Sequence, residues 1–195
     1  MRLSLLVSAA ALALAAAPAF AQSERVATGS GVIPAENAAA ERPIRFAETA
    51  PAGGVLAIPM ASATDLARVP APLVDAVREA VAGADFKAAA DTTLNLYGVG
   101  GYRRVLLVGT GEGELSAVAL ADIGGRVAQS TRGDAAPVAI VTDGLATAVD
   151  SPAAHIARGF GLGQWRFEHL KTVDRKPGVT DPVTVVAPSG TEQTY

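Results

Sequence analysis

Apolar positions fall into three regimes along this chain. From Leu3 to Ala17 almost every side chain is Leu, Val or Ala, broken only by Ser4 and Ser8. Across residues 22–42 small and polar residues such as Ser23, Thr28, Gly29, Ser30, Gly31, Pro34 and Asn37 are scattered without a helical or strand period. With no apolar cluster to fold around, that stretch reads as a linker. From Pro43 onward apolar runs recur at regular intervals, as in a folded domain.

Within that third regime, Ile44-Arg45-Phe46 alternates like a half-buried strand, and Gly54 to Pro59 reads as a short buried one. Pro72 takes the place of a first helical residue, with Leu73, Val74, Val77 and Val81 on one face and Gly83 as the stop. A strand from Thr93 to Tyr97 runs into a glycine turn at Gly98, Gly100 and Gly101. Arg104 to Val108 has no polar alternation and is expected to be buried on both faces. Ser116 is placed to cap a helix striped by Leu120, Ile123 and Val127.

Pro137 to Val141 follows as another buried strand. Asp150-Ser151-Pro152 then opens a helix that buries Ile156, Ala157 and Phe160, and Asp181 to Val186 supplies a last strand. Gly159, Gly161 and Gly163 each weaken that helix by roughly 1 kcal/mol relative to alanine. They fit a helix packed closely on the sheet or ending near Gly163, with Trp165 and Phe167 as apolar anchors just beyond. Strands alternating with amphipathic helices predict a three-layer α/β domain with a mixed, largely parallel sheet.

The apolar N-terminus has the features of a cleavable export signal. Arg2 provides a positive start, Pro18 ends any helix, and Ala19-Phe20-Ala21 offers small residues where a signal peptidase needs them. The run is about 18 residues, the lower edge of a spanning helix, and the proline and small-x-small site favour cleavage between Ala21 and Gln22. The expected organisation is a signal peptide at 1–21, a linker at 22–42, a domain at 43–188 and a polar tail at 189–195. The destination is then periplasmic or secreted, with no membrane association after cleavage.

Charge and cysteine content narrow the partners. Without residues 1–21 the chain has 15 basic side chains against 19 acidic ones, a net charge of −4. That balance lacks the basic face nucleic acid needs. Cysteine is absent, so neither disulfides nor thiolate chemistry contribute.

The candidate chemistry is sparse. Gly109-Thr110-Gly111-Glu112-Gly113 lies between a strand and a helix, where backbone N–H groups can cradle a phosphate. However, Glu114 stands where a dinucleotide fingerprint wants glycine, and Asp143 lies 34 residues from Gly109 rather than about 20. Glu112 and Glu114 also repel a pyrophosphate, so a tight turn is the plainer reading. His155 and His169 stand 14 apart with no His-Glu-x-x-His pair. There is no Gly-x-Ser-x-Gly elbow, and the one glycine-flanked serine, Ser30, is in the linker. No catalytic, cofactor-binding or metal-ligating residue is assigned.

The run from Arg158 to Thr172 resembles a segment of leucyl aminopeptidases that typically reads Glu-Gly-x-x-Leu-x-x-Tyr-Arg-Phe-Asp-x-Tyr-Lys. Gly159, Leu162, Arg166, Phe167 and Lys171 fall in register, while Trp165, Glu168 and Leu170 depart from it. Arg104 to Gly111 is similar to the family's Val-Leu-Leu-Val-Gly-Leu-Gly strand and turn, and Ile123-Gly124-Gly125 follows in the expected order. Together these cover about residues 43–188.

The resemblance implies the N-terminal domain of a dinuclear metallo-aminopeptidase, with a macro-domain-like fold. In that family this domain is non-catalytic; it packs beside the catalytic domain, helps form the hexamer and restricts access to the active sites. The catalytic domain would bind two divalent metals, Zn or Mn, through motifs resembling Gly-Lys-Gly-x-Thr-Phe-Asp-Ser-Gly-Gly and Asn-Thr-Asp-Ala-Glu-Gly-Arg. Neither motif occurs in this sequence. The expected partners are therefore a catalytic aminopeptidase domain or subunit and further copies of this chain. The alternative is a macro-like module that binds a nucleotide or ADP-ribose.

Overall fold

A computed structural model describes residues 41–165 and 179–188. Among the described residues six strands and three α-helices follow one another as β1 (Ile44–Ala47), β2 (Val55–Met60), α1 (Val74–Gly83), β3 (Thr93–Val99), β4 (Tyr102–Gly109), α2 (Ala117–Ser130), β5 (Val138–Val141), α3 (Pro152–Gln164) and β6 (Val183–Val186). The sheet order is β1-β6-β5-β2-β4-β3. Every neighbouring pair is parallel except β3 with β4, which form an antiparallel hairpin. The expected three-layer α/β architecture with its mixed, largely parallel sheet is what the chain adopts.

Alternation along the central strands sorts the core between two faces. Val55, Ala57, Leu106, Val108, Val138 and Ile140 point toward α2 and α3, where they meet Leu120, Ile123, Val127, Ile156 and Phe160. Leu56, Ile58, Met60, Val105 and Leu107 point the other way, toward Leu73, Val77 and Val81 of the α1 region. β2 and β4 are buried on both sides because helices cover both, which is why their sequences show no polar alternation. Each fully buried Leu, Ile or Val stabilises the fold by about 1.5–3 kcal/mol relative to exposure. Edge strand β1 keeps the half-buried alternation its sequence shows.

Four local expectations need correction. Pro72 lies inside a short 3-10 turn, Ala71–Leu73, so α1 proper starts at Val74. Gly98 belongs to β3, and the hairpin turns at Gly100 and Gly101. Ser116 caps α2 by accepting from Ala119 N at 3.2 Å, whereas Ser151 makes no such bond and sits at φ +52°. Trp165 is 62% exposed rather than buried. Phe167 lies outside the described residues.

The glycines of α3 have a different partner from the one expected. Gly159 and Gly163 pack on α2, not on the sheet. A Cβ on Gly159 would stand 1.9 Å from the Ala121 carbonyl oxygen, and one on Gly124 would stand 1.9 Å from that of Ile156. The two helices touch backbone to backbone because each sets a glycine, Gly124 or Gly159, against the other's backbone. α3 also ends at Gln164, one residue past Gly163, as the second part of the expectation has it. No helix among the described residues is long and apolar enough to cross a membrane.

Candidate functional site

The glycine turn after β4 is built from the strand outward. Gly109 N donates to Thr92 O at 2.8 Å, Thr110 N to Met60 O at 2.9 Å, and Gly111 N to Ala88 O at 2.9 Å. The loop before β3 therefore lies across the turn and takes two of these donors, while β2 takes the third. It lies so close that a Cβ on Gly109 would come within 2.2 Å of Ala89 O. Gly111 adopts φ +71° and Gly113 φ +109°, conformations that only glycine holds cheaply. A cavity of about 170 Å³ beside the turn is bordered by Asp91, Asp122 and Arg126, with Arg126 paired to Asp91. With the amides of Gly109, Thr110 and Gly111 already bonded and carboxylates nearby, this turn does not present a phosphate cradle.

A larger crevice opens at the carboxyl ends of the parallel strands. β2 hands the chain to α1 on one face, while its neighbour β5 hands it to α3 on the other. Crevices at such switch points are where open α/β sheets hold ligands. Here the space is about 660 Å³, with Val69, Pro70, Tyr102, Val141 and Val186 among its lining and exposed Glu48 and Asp143 also bordering it.

One arginine fixes two of the crevice walls. Arg68 Nε donates to Pro59 O at 3.0 Å and Nη1 to Gly144 O at 2.6 Å, joining the loop after β2 to the loop after β5. Its third nitrogen pairs with Asp65, whose carboxylate also accepts from Ala61 N at 3.0 Å. The Arg68 side chain is nine-tenths buried by these contacts.

A second cluster ties together the opposite end of the sheet. Arg42 Nη1 donates to Ala136 O at 2.7 Å and Asp181 O at 3.3 Å, and Nη2 reaches Thr131 O at 3.4 Å and Asp134 O. Its backbone N donates to Gln164 Oε1 at 2.9 Å, and Gln164 Nε2 returns a bond to Arg42 O at 3.3 Å. Burial holds the Arg42 pKa below its usual value, and the charges of Asp134 and Asp181 partly offset that. Beside it, Arg104 pairs with Asp134 at 2.5 Å and donates to Ser130 O at 3.1 Å, leaving its Nε buried without a partner. Arg42 was expected to end the linker; its contacts instead build it into the fold.

The residues weighed for chemistry do not converge. His155 lies half-buried on α3, and Glu112 and Glu114 are exposed in the turn. His169 and Ser30 fall outside the described residues, as do Arg166, Phe167, Glu168, Leu170 and Lys171. Among the described residues no three His, Cys, Asp or Glu side chains gather as a metal ion requires. They do not fit a dinuclear centre. What pattern reading missed were Arg42, Arg68 and Arg104. The one available signal was an arginine opening an otherwise apolar strand at Arg104.

Comparison with known proteins decides the family. The model of the cytosol aminopeptidase family's N-terminal domain matches residues 54–174, more than half the chain. The chain belongs to the cytosol aminopeptidase family. This aminopeptidase-family domain matches no curated protein sequence. Among solved structures it is similar to a tomato leucine aminopeptidase mutant, at 22% identity and a TM-score of 0.64 over 82% of this chain and 36% of that one. The bottromycin maturation enzyme BotP in complex with Mn matches at 20% identity and a TM-score of 0.51, over 69% of this chain and 26% of that one. The domain thus spans about a third or less of the enzymes it resembles. A macrodomain protein from Streptomyces coelicolor matches at 14% identity over 73% of this chain and 97% of that one, with a TM-score of 0.40, too slight a likeness to carry an argument.

Proposed function

We propose that this chain is an exported, non-catalytic N-terminal domain of the cytosol aminopeptidase family, with a structural and oligomer-forming role beside a metallo-aminopeptidase catalytic domain. The observation that supports it most is that the family match falls on the N-terminal domain. The site geometry agrees in kind: its buried charges join strands and helices to one another. In this reading two divalent metals, Zn or Mn, belong to the catalytic domain, and the first 21 residues direct the chain out of the cytoplasm.

The test is direct. Purified chain beginning at Gln22 is expected to leave leucine amide intact with added manganese or zinc; metal-dependent turnover would overturn the reading. Mass spectrometry of the secreted or periplasmic chain is expected to find Gln22 as its first residue. Recovery of the uncut chain in the membrane pellet would remove the export part alone.

A second reading, a macro-like nucleotide or ADP-ribose binding module, is favoured by one observation, the 660 Å³ crevice at the switch point. Glu48 and Asp143 beside it oppose a ligand rich in phosphate. If the module reading holds, ADP-ribose raises the melting temperature by mass action; a flat titration at millimolar ligand rejects it.

A further inference from the structure

The two edges of the sheet are protected very differently. β1, at one edge, has four residues, carries Arg45, and is flanked by Pro43 and Glu48. Shortness, charge and proline are the devices by which proteins keep an exposed edge from pairing with another chain. β3, at the other edge, has seven residues reading Thr-Leu-Asn-Leu-Tyr-Gly-Val, with no charge and no proline. Its register with β4 runs without interruption from Thr93↔Val108 to Tyr97↔Arg104, and Gly98 at φ +66° departs only at the hairpin end. Among the described residues no strand pairs its outer side.

The same strand leaves part of one face open as well. Leu94 and Leu96 pack toward α1, whereas Thr93, Asn95 and Tyr97 are exposed, Tyr97 at 70%. A long, regular, β-prone edge with an exposed aromatic beside it is a surface shaped for strand addition.

We infer that β3 pairs antiparallel with β3 of a second copy of this chain, joining two six-stranded sheets across a two-fold axis. The charge pattern is what selects a second copy as the occupant. Around a two-fold every charge near the axis meets its own likeness, so a self-pairing edge must be neutral at its centre. β3 is neutral throughout, and Asn95 and Tyr97 flank the middle of the strand, where each meets the other or itself. β1 fails that condition, since Arg45 would oppose Arg45. The inference supplies a surface for the structural role proposed above and rests on that reading only in part, because it is decided by a separate measurement.

The experiment is sedimentation equilibrium on the chain from Gln22 to Tyr195, at concentrations up to about 100 µM, where a small interface assembles. The wild type is expected to dimerise. Asn95→Lys and Tyr97→Lys, both at exposed positions, are expected to weaken the dimer by about tenfold or more while the circular dichroism spectrum stays unchanged. Ala47→Lys on the other edge is the control and is expected to leave the dimer intact. A monomeric wild type, or a dimer indifferent to both lysines, overturns the pairing. An inactive but monomeric chain would still leave the non-catalytic reading standing.

Discussion

Gly159 of α3 and Ala121 of α2 meet backbone against backbone, leaving no room for a methyl group between them: a Cβ on Gly159 would lie 1.9 Å from the Ala121 carbonyl oxygen and 2.6 Å from its Cα. Gly159→Ala should gain roughly 1 kcal/mol of helix propensity and lose more by forcing the helices apart. The expected net is a loss of about 1–3 kcal/mol in urea unfolding. Gly125→Ala makes the contrast, since its Cβ would meet only Gly159 O at 3.5 Å, an ordinary contact. That substitution is expected to raise the melting temperature. Equal effects of the two would mean that the helices are not in this contact.

The two serines that precede α2 and α3 are expected to respond in opposite directions. Ser116 holds Ala119 N through its hydroxyl, so Ser116→Ala should cost about 1 kcal/mol. The Ser151 hydroxyl makes no capping bond to the helix, and the residue occupies the left-handed region at φ +52°. Ser151→Gly should therefore stabilise the protein, by up to about 1 kcal/mol, because glycine takes that conformation without strain. Chemical denaturation of both variants checks the pair.

These serines also show how far sequence reads into this fold. Both stand before an apolar stripe, Ser151 with proline after it, and the pattern predicts a helix correctly in each case. It cannot report the φ angle that the preceding loop imposes on Ser151. The buried strands β2, β4 and β5 were legible because their neighbours cover both faces, so the apolar run itself records the burial. The α2–α3 contact was half legible: the glycines signalled close approach, but which surface approaches depends on the crossing of two elements far apart in sequence. Arg42 and Arg68 were illegible for a related reason. The partners that tie them across the fold are backbone carbonyls, which carry no residue identity; only Asp65, three residues from Arg68, is a side-chain partner.

Arg68 should be the fastening between the two loops that wall the switch-point crevice. Arg68→Met keeps the apolar stem and removes donors to Pro59 O and Gly144 O. The expected cost is about 1–2 kcal/mol, at the low end for a charged group because the Gly144 contact is open to water. Hydrogen exchange should quicken at residues 61–70 and 143–150 and stay unchanged in α2. Faster exchange throughout the domain would indicate a core role for Arg68 instead.

Arg42 is expected to be the most sensitive polar position of the fold. Its fork spans four carbonyl oxygens, those of Ala136, Asp181, Thr131 and Asp134, drawn from the segments before β5, before β6 and after α2. Burial lowers its pKa, so the surroundings disfavour the charge itself even with Asp134 and Asp181 nearby. The stabilisation must come from the geometry of the donors. Arg42→Met should cost roughly 2–4 kcal/mol by leaving buried acceptors unpaired. Arg42→Lys restores a positive charge but not a planar fork, and one ammonium cannot reach all four oxygens. It should recover less than half of the loss in urea unfolding. If lysine restored nearly full stability, charge rather than donor geometry would be what ties β1 to the rest of the sheet.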